Sequence, residues 1–262
     1  MIGSADVAAT FCATLVDEWV RSGLRDAVIS PGSRSTPVTL ALLHDGRLRV
    51  HIHPDERSAA YVALGLGSAS GRPAIVVCTS GTAAAELHPA VVEAHQGRVP
   101  LLVVTTDRPA ELRGVGAPQT IDQTHLFGTA TRWFADPGVP DASIAPTWRS
   151  LAARAVLEAQ GPVPGPVHLN LPFREPLLGT PGSPPPARDG ARPWYRASRS
   201  FDAPESDLEA LAAGFSGRTG VIVAGGGVAD PFGVHRMAQS LGWPVVADPR
   251  SCLLYTSPSP RD

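Results

Sequence analysis

The chain contains no lysine: all 22 of its basic residues are arginine, a bias we read as GC-rich coding. That absence excludes a Schiff-base or P-loop lysine within these residues. Any bound anion must therefore be met by arginine or by backbone N–H groups. Cysteine is almost as scarce. Cys12, Cys78 and Cys252 are too few and too scattered for a disulfide framework or a zinc site, which suits a reducing cytoplasm. No apolar run approaches the about 18 residues of a membrane span. The stretch 7–16 fails as a secretion signal, because Asp6 precedes it, no basic residue does, and threonine interrupts it. A net charge of -2 offers no broad basic field for nucleic acid or an anionic membrane. What is present, 43% hydrophobic and 18% charged residues over 262 positions, is the composition of a globular chain that needs no disulfide staples.

Short β-rich apolar runs recur at 27–30, 50–52, 74–78, 101–105, 133–135 and 167–171. Between most of them lie segments with helical spacing. The segment 4–21 carries Val7, Phe11, Leu15 and Trp19 one every four positions, with Ser4 as its expected N-cap. Segments 55–68, 82–96 and 147–160 also read as helices. Strands alternating with helix-length patterns predict an α/β fold: a parallel six-stranded sheet with helices on both faces, complete by Pro172. Seven prolines between 172 and 193 then make 173–201 a linker. From 202 to 250 a second α/β pattern starts, with helices at 205–215 and 232–241 and strands at 220–224 and 244–247. Two strands are too few for an independent sheet, so this domain reads as incomplete. Residues 251–262 abandon the pattern and read as a non-native tail.

In an open parallel sheet, ligands bind beyond the carboxyl ends of the strands. Four such loops stand out. Ser30-Pro31-Gly32-Ser33-Arg34-Ser35-Thr36-Pro37 offers hydroxyl and N–H donors before a helix, and Arg34 adds a two-pronged carboxylate clamp. In His51-Ile52-His53-Pro54-Asp55-Glu56-Arg57-Ser58, the alternating histidines raise a metal reading that lacks a third ligand. An acid at a helix start commonly serves as a cap, whereas a Glu56 buried at a cleft would have a raised pKa and exchange a proton with a bound heterocycle. Thr79-Ser80-Gly81-Thr82 lacks the flanking glycines of a nucleophile elbow, so backbone contact with an anion is the better reading. Thr106-Asp107-Arg108-Pro109, with Gln119 further on, suits recognition of a carboxylated ligand. Gly225-Gly226-Gly227 invites a dinucleotide reading, but Asp230 stands where that fingerprint wants glycine.

Together these four loops resemble the N-terminal, pyrimidine-binding domain of the thiamine-diphosphate enzymes. Within that superfamily they are most similar to the 2-succinyl-5-enolpyruvyl-6-hydroxy-3-cyclohexene-1-carboxylate synthases of menaquinone biosynthesis. The likeness covers about residues 5–172 well and the following domain loosely. It implies that Glu56 is the cofactor-activating glutamate, hydrogen-bonded to N1′ of the aminopyrimidine so that the imino tautomer removes the thiazolium C2 proton. It implies that Ser33, Arg34, Arg108 and Gln119 bind the dianionic substrates 2-oxoglutarate and isochorismate, and that Gly81 and Thr82 lie near the cofactor.

The resemblance further implies Mg2+ or Mn2+ and the diphosphate held by a Gly-Asp-Gly…Asn segment of a C-terminal domain that nothing here matches, and a homodimer or homotetramer with shared sites. The chain alone is therefore expected to be inactive. Alternative readings are an acetolactate-synthase-like enzyme of another 2-oxoacid, against which two arginine clamps argue, and a non-catalytic α/β binding module.

Overall fold

The computed structural model describes residues 3–196, 204–251 and 253. The chain divides into two compact units, Met1–Ala197 and Ser198–Asp262. In chain order the first contains α1 (Ser4–Arg21), β1 (Asp26–Ile29), α2 (Thr36–His44), β2 (Arg49–Ile52), α3 (Glu56–Ser70), β3 (Ala74–Cys78) and α4 (Thr82–Ala85). It continues with α5 (His88–Gly97), β4 (Leu101–Asp107), β5 (Trp133–Ala135), α6 (Trp148–Ala159) and β6 (Pro166–Pro172). The six strands form one sheet in the order β2-β1-β3-β4-β6-β5, and every neighbouring pair is parallel. The expected parallel six-stranded sheet is what the chain forms.

Helices cover both faces, which is why the central strands read as unbroken apolar runs rather than alternating ones. Successive side chains still point to opposite faces. Ile75, Val77, Leu102 and Val104 join one core with Phe11, Leu15 and Trp19 of α1 and Trp148 and Val156 of α6. Val76, Cys78, Leu101 and Val103 join the other, beneath Ala59, Ala60 and Ala63 of α3 and Ala90, Val91 and Ala94 of α5. The small residues let α3 and α5 lie close to the sheet.

Two local expectations need correction. The N-cap of α1 is Gly3, in extended backbone, and Ser4 is already the first helical residue with no side-chain capping bond. The helix expected over 82–96 is broken into α4 and α5 around Leu87, because Pro89 sits in the first turn of α5 and has no N–H to continue a preceding helix.

Beyond β6 the proline-rich segment forms neither helix nor strand, yet it is tied down. Asp6 accepts the Thr180 N–H at 2.8 Å, Thr10 accepts that of Gly182 at 2.8 Å, and Glu18 accepts that of Trp194 at 2.6 Å. From the other side Arg149 donates to the Pro185 carbonyl at 2.8 Å and Arg21 to that of Gly190 at 2.6 Å. Residues 174–194 thus lie as a strap across α1 and α6.

The second unit contains α7 (Glu205–Phe215), β7 (Ile222–Ala224), α8 (Pro231–Leu241) and β8 (Val245–Ala247), with β7 and β8 parallel. At the triple glycine after β7, Asp230 caps α8 by accepting the Gly233 N–H at 2.8 Å. A carboxylate of the chain itself thus occupies the helix N-terminus where a dinucleotide phosphate would sit. The tail expected to be non-native, 251–262, lies outside the described residues except for Ser251 and Leu253. Among the described residues no helix is long and apolar enough to cross a membrane.

Candidate active site

Four strands that neighbour one another in the sheet, β2, β1, β3 and β4, each end in one of the four loops, so the loops share one carboxyl edge. After β1 the chain turns through Gly32 and enters α2. A Cβ at Gly32 would sit 2.5 Å from the Cβ of Thr79, so the glycine is what lets the first loop pass against the third. Ser33 is exposed, and its carbonyl accepts the Thr36 hydroxyl at 2.7 Å. Arg34 is buried. Its Nη1 donates to the Phe173 carbonyl at 2.9 Å and its Nη2 to Glu175 Oε1 at 3.1 Å, while Nε is buried with no partner.

After β2, Asp55 caps α3 by accepting the Ser58 N–H at 2.8 Å, which leaves Glu56 as the first helical residue. The Glu56 side chain is half-buried rather than buried, because it follows the outermost strand of the sheet. It lies close enough to Cys78 that its charge, second to burial, pushes that thiol up. His51 pairs with Asp26 at 3.3 Å, and no group of three metal-ligating side chains occurs among the described residues.

After β3, Ser80 is fully buried and its hydroxyl donates to the Gln119 carbonyl at 3.0 Å and contacts Arg108 Nη1. The bonds of this serine tie the third loop to the fourth. Gly81 has φ +80, and a Cβ there would stand 3.0 Å from Gln119 Cγ. Its N–H is not available to an anion, because Gln123 Oε1 accepts it at 2.9 Å. Thr82 is exposed at the start of α4. Gln119 itself has φ 55, a left-handed conformation costing about 1–2 kcal/mol in a side-chain-bearing residue. Its Nε2 donates to the Ser80 carbonyl at 3.1 Å, so the two loops hold each other reciprocally.

The Arg108 guanidinium is half-buried, and burial followed by the nearby Arg34 charge lowers its pKa. Two like charges therefore face one region at the sheet edge. Such a pair is tolerable where anions compensate it, and Glu175 and Asp107 act in that direction.

Beneath these loops lies a buried polar network that sequence reasoning missed. Thr105 and Asn170 face each other in the β4–β6 register, and the Thr105 hydroxyl donates to Asn170 Oδ1 at 2.9 Å. Having given its proton there, Thr105 accepts from His168 Nε2–H at 2.7 Å, which leaves Nδ1 as the bare nitrogen. Gln123 Nε2 donates to Asn170 Oδ1 at 2.7 Å and to the Thr106 carbonyl at 3.2 Å. Asn170 Nδ2 in turn donates to Asp107 and Asp136 at 2.9 and 3.1 Å, and Arg113 bridges both carboxylates at 3.0 Å. Burial, the leading influence, raises the Asp107 pKa. Asp107 accepts the Arg108 N–H at 2.7 Å, and Arg113 Nε donates to the Arg108 carbonyl at 3.0 Å. The network therefore fixes the backbone that carries Arg108. A signal for it existed, since His168 and Asn170 interrupt an otherwise apolar buried strand at alternate positions.

The donor set suits the pyrimidine end of thiamine diphosphate. A half-buried carboxylate at Glu56 can hold a ring nitrogen, and Ser30 Oγ and His53 Nδ1, buried without partners, flank the same strand ends.

Comparison with known proteins finds relatives of the whole chain and of its first unit. Residues 9–126 match the family model described as thiamine pyrophosphate enzyme, N-terminal TPP binding domain. The chain is 50% identical over 240 residues to a 2-succinyl-5-enolpyruvyl-6-hydroxy-3-cyclohexene-1-carboxylate synthase of Thermobifida fusca, covering 90% of this chain and 43% of that protein. Synthases of the same name from Geobacillus kaustophilus and Halobacterium salinarum are 45% and 42% identical, over 95% and 92% of this chain and 44% and 45% of theirs. The chain thus spans less than half the length of the curated relatives it matches. Over 90% or more of its own length the chain is thus similar to part of these 2-succinyl-5-enolpyruvyl-6-hydroxy-3-cyclohexene-1-carboxylate synthases, and its residues 9–126 match the N-terminal TPP-binding domain of thiamine pyrophosphate enzymes.

Proposed function

We propose that this chain supplies the pyrimidine-binding part of a synthase that decarboxylates 2-oxoglutarate and transfers the succinyl unit to isochorismate, a step of menaquinone biosynthesis. The observation that carries the reading is the convergence of Arg34 and Arg108 on the carboxyl edge that also bears Glu56. Thiamine diphosphate, when bound, supplies the electron sink through which a 2-oxoacid loses CO2 and its acyl fragment is transferred.

The residues of this chain bind, orient and move a proton. Glu56 holds a ring nitrogen of the pyrimidine and shares a proton with it at its carboxylate. Arg34 and Arg108 take substrate carboxylates in fork geometry, and both substrates are dianions. Ser33 and Gln119 orient the same substrates, while Gly81 and Thr82 line the approach of the cofactor. The Gly81 turn would serve by its lack of a Cβ, since its N–H is engaged by Gln123. We assign the diphosphate and its Mg2+ or Mn2+ to residues outside this domain, in a homodimer or homotetramer. The free, buried thiols of Cys12 and Cys78 favour a cytoplasmic setting.

A chimera tests this, with residues 1–250 replacing the matching segment of the Thermobifida fusca relative. It should consume 2-oxoglutarate only with isochorismate present, and Glu56→Gln should reduce kcat by about 10²–10⁴-fold with an unchanged melting temperature. A folded chimera with no turnover, or an indifferent Glu56→Gln, refutes the reading.

A further inference from the structure

We propose that Glu175 is a displaceable counter-ion seated on the substrate-facing edge of Arg34, and that it sets how strongly the site selects for carboxylates. The inference rests on the functional reading above. An arginine binds a carboxylate side-on through Nε and Nη2, two parallel donors. In Arg34 the third donor group, Nη1, is anchored to the Phe173 carbonyl at 2.9 Å, which fixes the plane of the guanidinium. On the side-on edge, Nη2 meets Glu175 Oε1 at 3.1 Å while Nε is buried without a partner. Glu175 thus uses only half of the fork.

The two partners are held very differently. The Arg34 side chain is 7% exposed, whereas that of Glu175 is 73% exposed. Among the described residues the Glu175 side chain makes no other hydrogen bond, so rotating it into water sacrifices little beyond this single contact. A substrate carboxylate that displaces it gains both donors of the edge. The segment that carries Glu175 is itself firmly placed: the Phe173 N–H donates to the Asp107 carbonyl at 3.1 Å, and Arg174 pairs with Glu111 at 2.6 Å. The residue next to Glu175 on that segment therefore grips the loop of the second arginine. Glu175 also counters the charge of Arg108. It stabilises the guanidinium pair, and any incoming carboxylate must first compete with it.

In the chimeric synthase, Glu175→Gln should lower KM for the substrate carboxylate bound by Arg34 about 5-fold, with kcat within about twofold, by removing one nearby like charge. Inhibition by glutarate, a plain dicarboxylate probe, should tighten by the same factor. Glu158→Gln, which removes an exposed carboxylate paired with Arg154 on α6 instead, should leave both constants unchanged. An unchanged or raised KM in Glu175→Gln, or glutarate inhibition that does not tighten, overturns the placeholder role while leaving the synthase reading intact. Loss of turnover in the parent chimera would instead count against the synthase reading, and glutarate binding measured calorimetrically would still decide the role of Glu175.

Discussion

Removing the charge of Arg149 should destabilise the first unit by about 3–5 kcal/mol, although the residue lies away from the candidate site. Arg149 is 3% exposed, and its Nη1 donates to Asp17 at 2.8 Å and Glu18 at 3.0 Å. Arg149→Met keeps the apolar stem and deletes the cation. Asp17 would keep Arg21 and Arg47, each at 2.9 Å. Among the described residues Glu18, at 0% exposure, would keep only the Trp194 N–H. A carboxylate so placed has lost its counter-charge where water cannot replace it, and that uncompensated charge is the main cost.

The assay is urea unfolding of the whole chain followed by fluorescence of Trp19 and Trp148, both buried in the core that α1 and α6 share. With a slope near 3 kcal/mol/M, the midpoint should fall by about 1 M or more. The double variant Glu18→Gln/Arg149→Met removes the orphaned charge and keeps an acceptor for Trp194, so it should recover at least about 1 kcal/mol. A single variant within 1 kcal/mol of the parent, or a double variant no more stable than the single, would refute the reasoning.

Acid should weaken the fold through His168. Burial first, and the His125 charge second, bring its pKa down to about 3, so below the unfolded value near 6.5 only the unfolded chain takes up that proton. The stability it contributes is present above about 6.5 and is lost as pH falls toward 3, at about 1.4 kcal/mol per unit. His168→Gln should therefore flatten the fall in unfolding midpoint between about pH 7 and pH 5, and equal slopes for parent and variant would count against it. Gln123→Leu strands the Gly81 N–H and the Thr106 carbonyl and should destabilise by about 2–4 kcal/mol. Its specific signature is faster hydrogen exchange at the Gly81 amide, and unchanged protection there would dismiss the assignment.

Much of the fold was legible because periodicity and burial act locally. The four-residue spacing of Val7, Phe11, Leu15 and Trp19 marks α1 from Ser4 to Arg21, and the unbroken run from Ala74 to Cys78 marks a strand covered on both faces. The break between α4 and α5 was missed because a helical pattern continued through Pro89, where the backbone chemistry of one residue overrode it. The four loops were readable as loops, and sheet order later brought them to one edge.

The polar network beneath them was not readable, because its pairings are long-range: Thr105 meets Asn170 only through the β4–β6 register, and Gln123 reaches Gly81 across two loops. Glu175 lay hidden for a similar reason. Its place beside Arg34 depends on how the proline-rich segment leaves β6, and composition alone describes that segment only as irregular.

The strap of residues 174–194 has a mechanical consequence. Tension on the chain beyond Trp194 would not begin by peeling β6 from the sheet. It would load the bonds to Glu18, Arg21 and Arg149 first, and those to Thr10 and Asp6 after them. These anchors are strung along α1 and α6, so the pull is spread over two helices and meets the core in shear. The strands whose ends carry Arg34, Gly81 and Arg108 would stay in register until the helices yielded.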